Sequence, residues 1–406
     1  MTPTGQFHLV TLGCPKNEVD SDKLAGTLVA DGMVPTDRVE DAELIVVNTC
    51  AFVEDARRES IDTVLALADE RQAGARLVVT GCMAERYGTE LADELPEVDQ
   101  VVGFGVPVVM GKTRSNGAPP PVMDLLNLPR PASTRPWAYV KVAEGCDRAC
   151  GYCAIPSFRG PQRSRSPESV LAEVDGLGVR EVVLVAQDLA AYGRDQGVGE
   201  KAIVALLGAV VDRVDWVRLL YLYPSEVTDP LVDAVCASGV PYFDLSLQHV
   251  SRPLLRRMRR WGDGDRFGAL MERIRRREPD ATFRSNFIVG YPGETEEDHD
   301  ELLAFVADAG LDWCGFFAFS EEVGTHAEGL DGAVAAPLVA ERLRELGELQ
   351  DAITASKRDA LIGRQVEVLV DEPGWGRTHR EAPEIDGLVE VPADLPVGEF
   401  ATLTVT

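Results

Sequence analysis

The segment GCDRACGYC sets three cysteines, Cys146, Cys150 and Cys153, in CxxxCxxC spacing directly after the apolar run AYVKVA at 138–143. Three thiolates on one tight loop can ligate three irons of a four-iron cluster. The fourth iron then lacks a protein ligand, and an open coordination position is what a metal centre needs if a small molecule is to bind and react there. Zinc is the competing reading, but zinc asks for a fourth ligand close by and none stands near in the sequence.

The loop must be carried by strands. Apolar runs recur after it at 181–186, 216–222, 242–247, 283–290 and 313–319, with helical stretches between them. Together with 138–143 they make six βα units, which predict an open or partial parallel barrel whose function sits at the strand C-termini. A helical stretch at 340–362 closes this region. From Arg364 the runs QVEVLV, GLVEV and ATLTV with Pro and Gly turns predict a small antiparallel β-barrel.

Upstream, FHLVTL (7–12), LIVVN (44–48) and RLVVT (76–80) alternate with amphipathic stretches, which reads as a parallel α/β sheet. Each run is followed at once by a cysteine: Cys14, Cys50 and Cys82. A lone buried cysteine is ordinarily an apolar filler. Three placed alike at the carboxyl ends of parallel strands would converge where α/β sheets bind ligands, and predict a second cluster with zinc again as competitor. The Pro- and Gly-dense text between them and the barrel marks a linker. The expected division is 1–115, linker 116–136, barrel 137–361 and tail 362–406, in keeping with the two or three domains a 406-residue chain suggests.

Composition excludes several classes. Hydrophobic residues are 45% and charged ones 26%, as in folded soluble chains. No run approaches the ~20 apolar residues of a membrane helix, and MTPTGQFHLVTLGC lacks the regions of a signal peptide. A cytoplasmic location is expected, where the eight cysteines stay reduced and a disulfide framework does not form. The net charge of -27 opposes binding to a phosphate backbone and suits a basic protein partner, although solubility alone accounts for it equally.

CxxxCxxC after the first strand of a six-stranded barrel resembles the radical S-adenosylmethionine (SAM) superfamily. The resemblance implies that the open iron binds SAM and that reduction yields a 5'-deoxyadenosyl radical. GCPKNEVDSD, NTCAFVEDARRESIDTVL, AEGCDRACGYCAIPSFRG, LQHVS and FIVGYPGETEED narrow it, over essentially the whole chain, to the methylthiotransferases and to their ribosomal-protein branch, RimO. This implies two [4Fe-4S] clusters, one on Cys146, Cys150 and Cys153 and one on Cys14, Cys50 and Cys82. It also implies a TRAM tail, a reductant such as flavodoxin or ferredoxin, and methylthiolation of an aspartate β-carbon in the twelfth protein of the small ribosomal subunit. The tail at 362–406 carries nine acidic residues against three arginines, a net of -6, which suits a basic protein better than RNA. The same chemistry on transfer RNA, and a non-catalytic electron carrier, are the rival readings.

Other candidates are weaker. Gly290 and Gly293 in GYPGE offer backbone for the cofactor to approach or simply form a tight turn. Gln187, Asp188 and His249 follow barrel strands, where cofactor sites form, although a hydrogen-bonded structural role accounts for them equally. Arg159, Arg163 and Arg165 are candidate anchors for a carboxylate or a partner. The RRMRRW run at 256–261 reads as a solvated helix face, and Cys236 and Cys314 as core residues.

Overall fold

The computed structural model describes residues 5–108, 123–199 and 201–406. They fall into two compact units. The first comprises residues up to 132 with 144–147 and 154–169, the second 133–143, 148–153 and 170–406. Residues 116–122 of the expected linker lie outside the described residues. Beyond them the chain is packed, because Leu125 and Leu126 are buried in the first unit and the Lys23 ammonium donates to the Leu126 carbonyl at 2.6 Å.

In the first unit, strands β1 (Gln6–Thr11), β2 (Val34–Pro35), β3 (Leu44–Thr49), β4 (Arg76–Gly81) and β5 (Gln100–Val101) pair in the order β2-β1-β3-β4-β5, every pair parallel. The helices are α1 (Pro15–Ala30), α2 (Glu54–Glu70), α3 (Cys82–Glu94) and the short α4 (Ile155–Arg159). All six residues of β3 are buried, as a central strand covered on both faces must be, and its first four, Leu44 to Val47, are accordingly apolar. Chain order reverses between β1 and β3, the kind of switch point at which doubly wound sheets open a crevice at their carboxyl edge.

The second unit holds the predicted barrel. Strands β6 (Trp137–Lys141), β9 (Glu181–Val185) and β10 (Trp216–Leu219) form one parallel sheet. Strands β11 (Tyr242–Gln248), β12 (Thr282–Val289) and β13 (Trp313–Ala318) form another. A bridge between Leu222 and Leu245 joins them into one open arc. The two-residue strands β7 (Ala143–Glu144) and β8 (Arg163–Ser164) flank the cysteine loop in the chain. Helices α5 (Pro167–Leu177), α6 (Lys201–Val211), α7 (Asp229–Cys236), α8 (Arg252–Arg257), α9 (Gly264–Arg277), α10 (Glu296–Ala309) and α11 (Ala336–Asp359) complete the βα pattern. Among the described residues no helix is long and apolar enough to cross a membrane.

The tail is a four-stranded antiparallel sheet of β14 (Gln365–Glu372), β15 (Trp375–Arg377), β16 (Val389–Glu390) and β17 (Phe400–Thr404), in the order β16-β15-β14-β17. It seats against the amino ends of the barrel strands. The Tyr139 hydroxyl donates to the Pro383 carbonyl at 2.6 Å and the Trp313 indole N–H to the Arg380 carbonyl at 2.7 Å. At the centre, Glu181 is fully buried and takes Arg218 at 2.9 Å and Arg377 at 2.6 Å, while Arg377 also grips Asp371. Burial opposes ionisation of Glu181, but the two guanidiniums outweigh it and hold its carboxyl below the usual range.

Removing one member of such a network strands a buried charge. Arg377→Met is expected to cost about 3–5 kcal/mol, whereas Arg38→Ala, whose ion pairs are exposed, should leave the unfolding midpoint essentially unchanged. Urea unfolding of the three chains checks this, and an unchanged midpoint for Arg377→Met would contradict it.

Candidate functional site

Strand register brings the first cysteine set together. Thr11 stands opposite Asn48 and Asn48 opposite Thr80, so β1, β3 and β4 end level with one another. Cys14, Cys50 and Cys82 follow those ends within a few residues. Gly13, at φ +98°, makes the approach possible: a Cβ there would lie 2.8 Å from the Cys50 Cβ. Cys14 caps the amino end of α1 and Cys82 opens α3, so both thiols sit where helix N–H groups and dipoles favour a thiolate. Ser60 of the ESID segment accepts the Cys50 N–H at 3.1 Å and fixes that turn.

Electrostatics separate the three. Burial pushes the Cys50 thiol up to about 12, and the charges of Cys14 and Cys82 add to this. Cys82 is raised by burial against the pull of Arg159. Burial also opposes ionisation of Cys14, but Lys16, Arg159 and two backbone N–H groups outweigh it and lower its pKa. The donor set therefore fits a cationic metal cluster that would ionise all three. Among the described residues no three Cys, His, Asp or Glu side chains are grouped to hold a single metal ion. A four-iron cluster takes its thiolates on different irons, a wider spacing.

Buried polar side chains surround this set. The Asn17 amide donates to the Leu12 carbonyl at 2.8 Å and the Thr49 carbonyl at 3.1 Å, while its oxygen accepts from Arg159 at 2.7 Å. Arg159 also donates to the Cys82 sulfur at 3.0 Å. The expected anchor for an outside carboxylate is thus committed inside the first unit, where it meets Asp20 and Glu144 as well. Arg163 pairs with Asp124 at 2.8 Å, and Arg165 donates to Ser169.

Cys146, Cys150 and Cys153 occupy the predicted loop. In the first unit the Cys146 N–H donates to the Gly160 carbonyl at 3.1 Å. In the second, the Cys153 N–H donates to the Cys150 carbonyl at 3.2 Å, and Gly151 is strapped to Met258 and Ala327. Arg260 corrects the solvated-face expectation for 256–261. Arg256 and Arg259 are exposed, but Arg260 is buried and donates to the Cys150 sulfur at 3.2 Å and to the Ser246 carbonyl. Tyr223 lies between Arg260 and Arg148, whose guanidinium carbons stand 4.4 and 4.0 Å from its ring centroid. Arg148 in turn holds Asp188, at 2.6 Å, at the carboxyl end of β9 beside Gln187. Burial raises the Asp188 pKa against that partner.

Gly290 and Gly293 adopt φ of +82° and +89° and form the turn after β12. Their N–H groups donate to Glu294 and Gly332, and a Cβ at Gly290 would lie 2.5 Å from Val339. His249 is fully buried just beyond β11, where Gln248 takes φ +73° and breaks the register. Its Nδ1 accepts the Ser251 N–H at 3.1 Å, which assigns the proton to Nε2, an atom with no hydrogen-bond partner among the described residues. Cys236 and Cys314 pack against the barrel core, as expected.

Three family models match the chain: Uncharacterized protein family UPF0004 over 6–103, Radical SAM superfamily over 140–306 and TRAM domain over 362–406. A protein of Moorella thermoacetica named Ribosomal protein uS12 methylthiotransferase RimO is 43% identical, the match covering 98% of this chain and 96% of that one. A protein of Kineococcus radiotolerans with the same name is also 43% identical, over 98% and 94%. The chain belongs to the RimO family. The solved cobalamin-dependent SAM radical enzyme OxsB is similar in fold, with a TM-score of 0.51 at 11% identity over 86% of this chain and 56% of that one. Within the RimO-family chain, the UPF0004 segment carries Cys14, Cys50 and Cys82, and the radical SAM segment carries Cys146, Cys150 and Cys153.

Burial holds the His249 pKa down at about 4, below its unfolded value near 6.5. The folded chain therefore binds fewer protons at this site, and stability falls as pH drops from about 6.5 towards 4, by up to about 3 kcal/mol. In urea unfolding of the cluster-free chain, His249→Gln should lose less stability than the parent between pH 7 and pH 4.5. Parallel losses in the two chains would contradict the assignment.

Proposed function

We propose that this chain transfers a methylthio group to the β-carbon of an aspartate in ribosomal protein uS12. The observation that carries the reading is the near-full-length identity with proteins named for that activity. In this reading Cys146, Cys150 and Cys153 hold the SAM-cleaving cluster, and Cys14, Cys50 and Cys82 hold the auxiliary one. When bound, the two [4Fe-4S] clusters supply the electron for SAM cleavage and the sulfur for transfer.

The chain's own residues hold and orient. SAM is proposed to lie at the carboxyl ends of the barrel strands, beside Gln187, His249 and the Gly290–Gly293 turn. The unmet Nε2–H donor of His249 supports that placement, because a buried donor without a protein partner is costly unless a ligand takes it. Arg260 would steady Cys150. The acidic surface favours encounter with a basic ribosomal protein, free or in the ribosome, and opposes a direct grip on nucleic acid. A flavodoxin- or ferredoxin-type reductant and a cytoplasmic location complete the proposal, and the domain division expected from the sequence is retained with it.

The test is anaerobic reconstitution with iron and sulfide, then SAM, dithionite and either protein uS12 or transfer RNA. A gain of about 46 Da on an aspartate-containing uS12 peptide is expected, the mass of SCH3 replacing carbon-bound hydrogen. Cys82→Ala and Cys150→Ala should each abolish it. A gain on transfer RNA alone would move the chain to the other branch of the chemistry, and full activity in Cys82→Ala would sink the auxiliary-cluster assignment.

A further inference from the structure

Arg159 reaches a cysteine sulfur of the first unit through a hydrogen bond. Its guanidinium is buried, with a side chain only 3% exposed. One nitrogen, Nη1, bonds Glu144 at 2.9 Å and Asp20 at 3.3 Å. The other, Nη2, bonds Asn17 at 2.7 Å and the Cys82 sulfur at 3.0 Å. The Phe104 ring covers its face, 4.3 Å from the guanidinium carbon. With both edges and a face occupied, the group has a fixed aim. It is carried by α4, a five-residue helix outside the sheet that supplies the three cysteines.

We propose that Arg159 is a positioning residue for the auxiliary cluster, holding Cys82 in place and raising the reduction potential of the iron it ligates. The inference rests on the reading that Cys14, Cys50 and Cys82 hold a cluster. Hydrogen bonds to cluster sulfurs, and positive charge beside them, stabilise the more electron-rich reduced state and so shift the potential upward. A purely structural ion pair with Asp20 and Glu144 would not need the second nitrogen to face sulfur. Lysine cannot replace the fork, because a single ammonium cannot serve sulfur, amide and two carboxylates in these directions at once.

The experiment uses the full chain with Cys146→Ala, Cys150→Ala and Cys153→Ala, so that only the auxiliary site can load. It is reconstituted anaerobically as the parent and with Arg159→Gln or Arg159→Lys. Iron and sulfide per chain are counted, and the midpoint is read by EPR-monitored titration. The glutamine variant should fall by at least about 59 mV, a tenfold change in a one-electron equilibrium constant, with the lysine variant between it and the parent. Midpoints equal to the parent's in both variants would overturn the proposal. A parent that loads no iron would instead remove the cluster reading on which it rests. Should either variant fail to fold, the reduced parent labelled with 15N-arginine decides: hyperfine coupling from a guanidinium nitrogen supports the bond to Cys82, and its absence overturns it.

Discussion

Parallel pairing is the constraint from which the candidate chemistry follows. Strands joined by parallel crossovers all end on the same side of the sheet, so whatever follows each strand arrives at one edge. In the first unit the register puts Thr11, Asn48 and Thr80 in line, and the cysteines that follow inherit that alignment although they stand far apart in sequence. The barrel of the second unit obeys the same rule. The carboxyl ends of its strands carry Cys150, Gln187, Asp188, His249 and the Gly290 turn, while its amino ends are closed by the tail through Tyr139, Glu181 and Trp313. One end thereby gathers the candidate residues and the other packs against the tail.

That division also explains where the tail's arginines go. Arg377 lies inside the fold between Glu181 and Asp371, and Arg380 bonds Asp280. Arg364 pairs with Asp280 as well, so all three positive side chains of the tail are engaged with carboxylates, and exposed acids such as Glu367, Glu372, Glu390 and Asp394 give its surface a negative sign. A surface of that sign repels a phosphate backbone and complements a positively charged one.

Much of this was legible in the sequence because it is periodic or local. The runs LIVVN and EVVLVA are short, rich in β-branched residues and spaced between helical stretches, which reads as strands buried on both faces, and each cysteine of interest is adjacent to such a run or held in a tight motif. Arg260 was not legible. It sits in RRMRRW beside Arg256 and Arg259, which are exposed, and only the turn after α8 carries it inward to Cys150. Arg159 was visible as a candidate but not in its role, because its partners Asn17, Asp20 and Cys82 lie at long separation in the chain. Asn17 and Asp20 carried a signal in hindsight: they are three and six residues beyond Cys14 on a helix begun at Pro15, a spacing that keeps them near one face.

The two arginines share a physical logic. A buried guanidinium is costly to desolvate and stable only when its donors are met. Both Arg159 and Arg260 meet part of that need with a cysteine sulfur, Cys82 in one case and Cys150 in the other. A neutral thiol is a weak acceptor and would compensate such a charge poorly, whereas a thiolate does so well. Both contacts set a buried cation against a cysteine sulfur, and they arise in separate units from arginines on unrelated elements. A chain that needed these cysteines only as apolar filler would gain nothing from placing a buried cation against each.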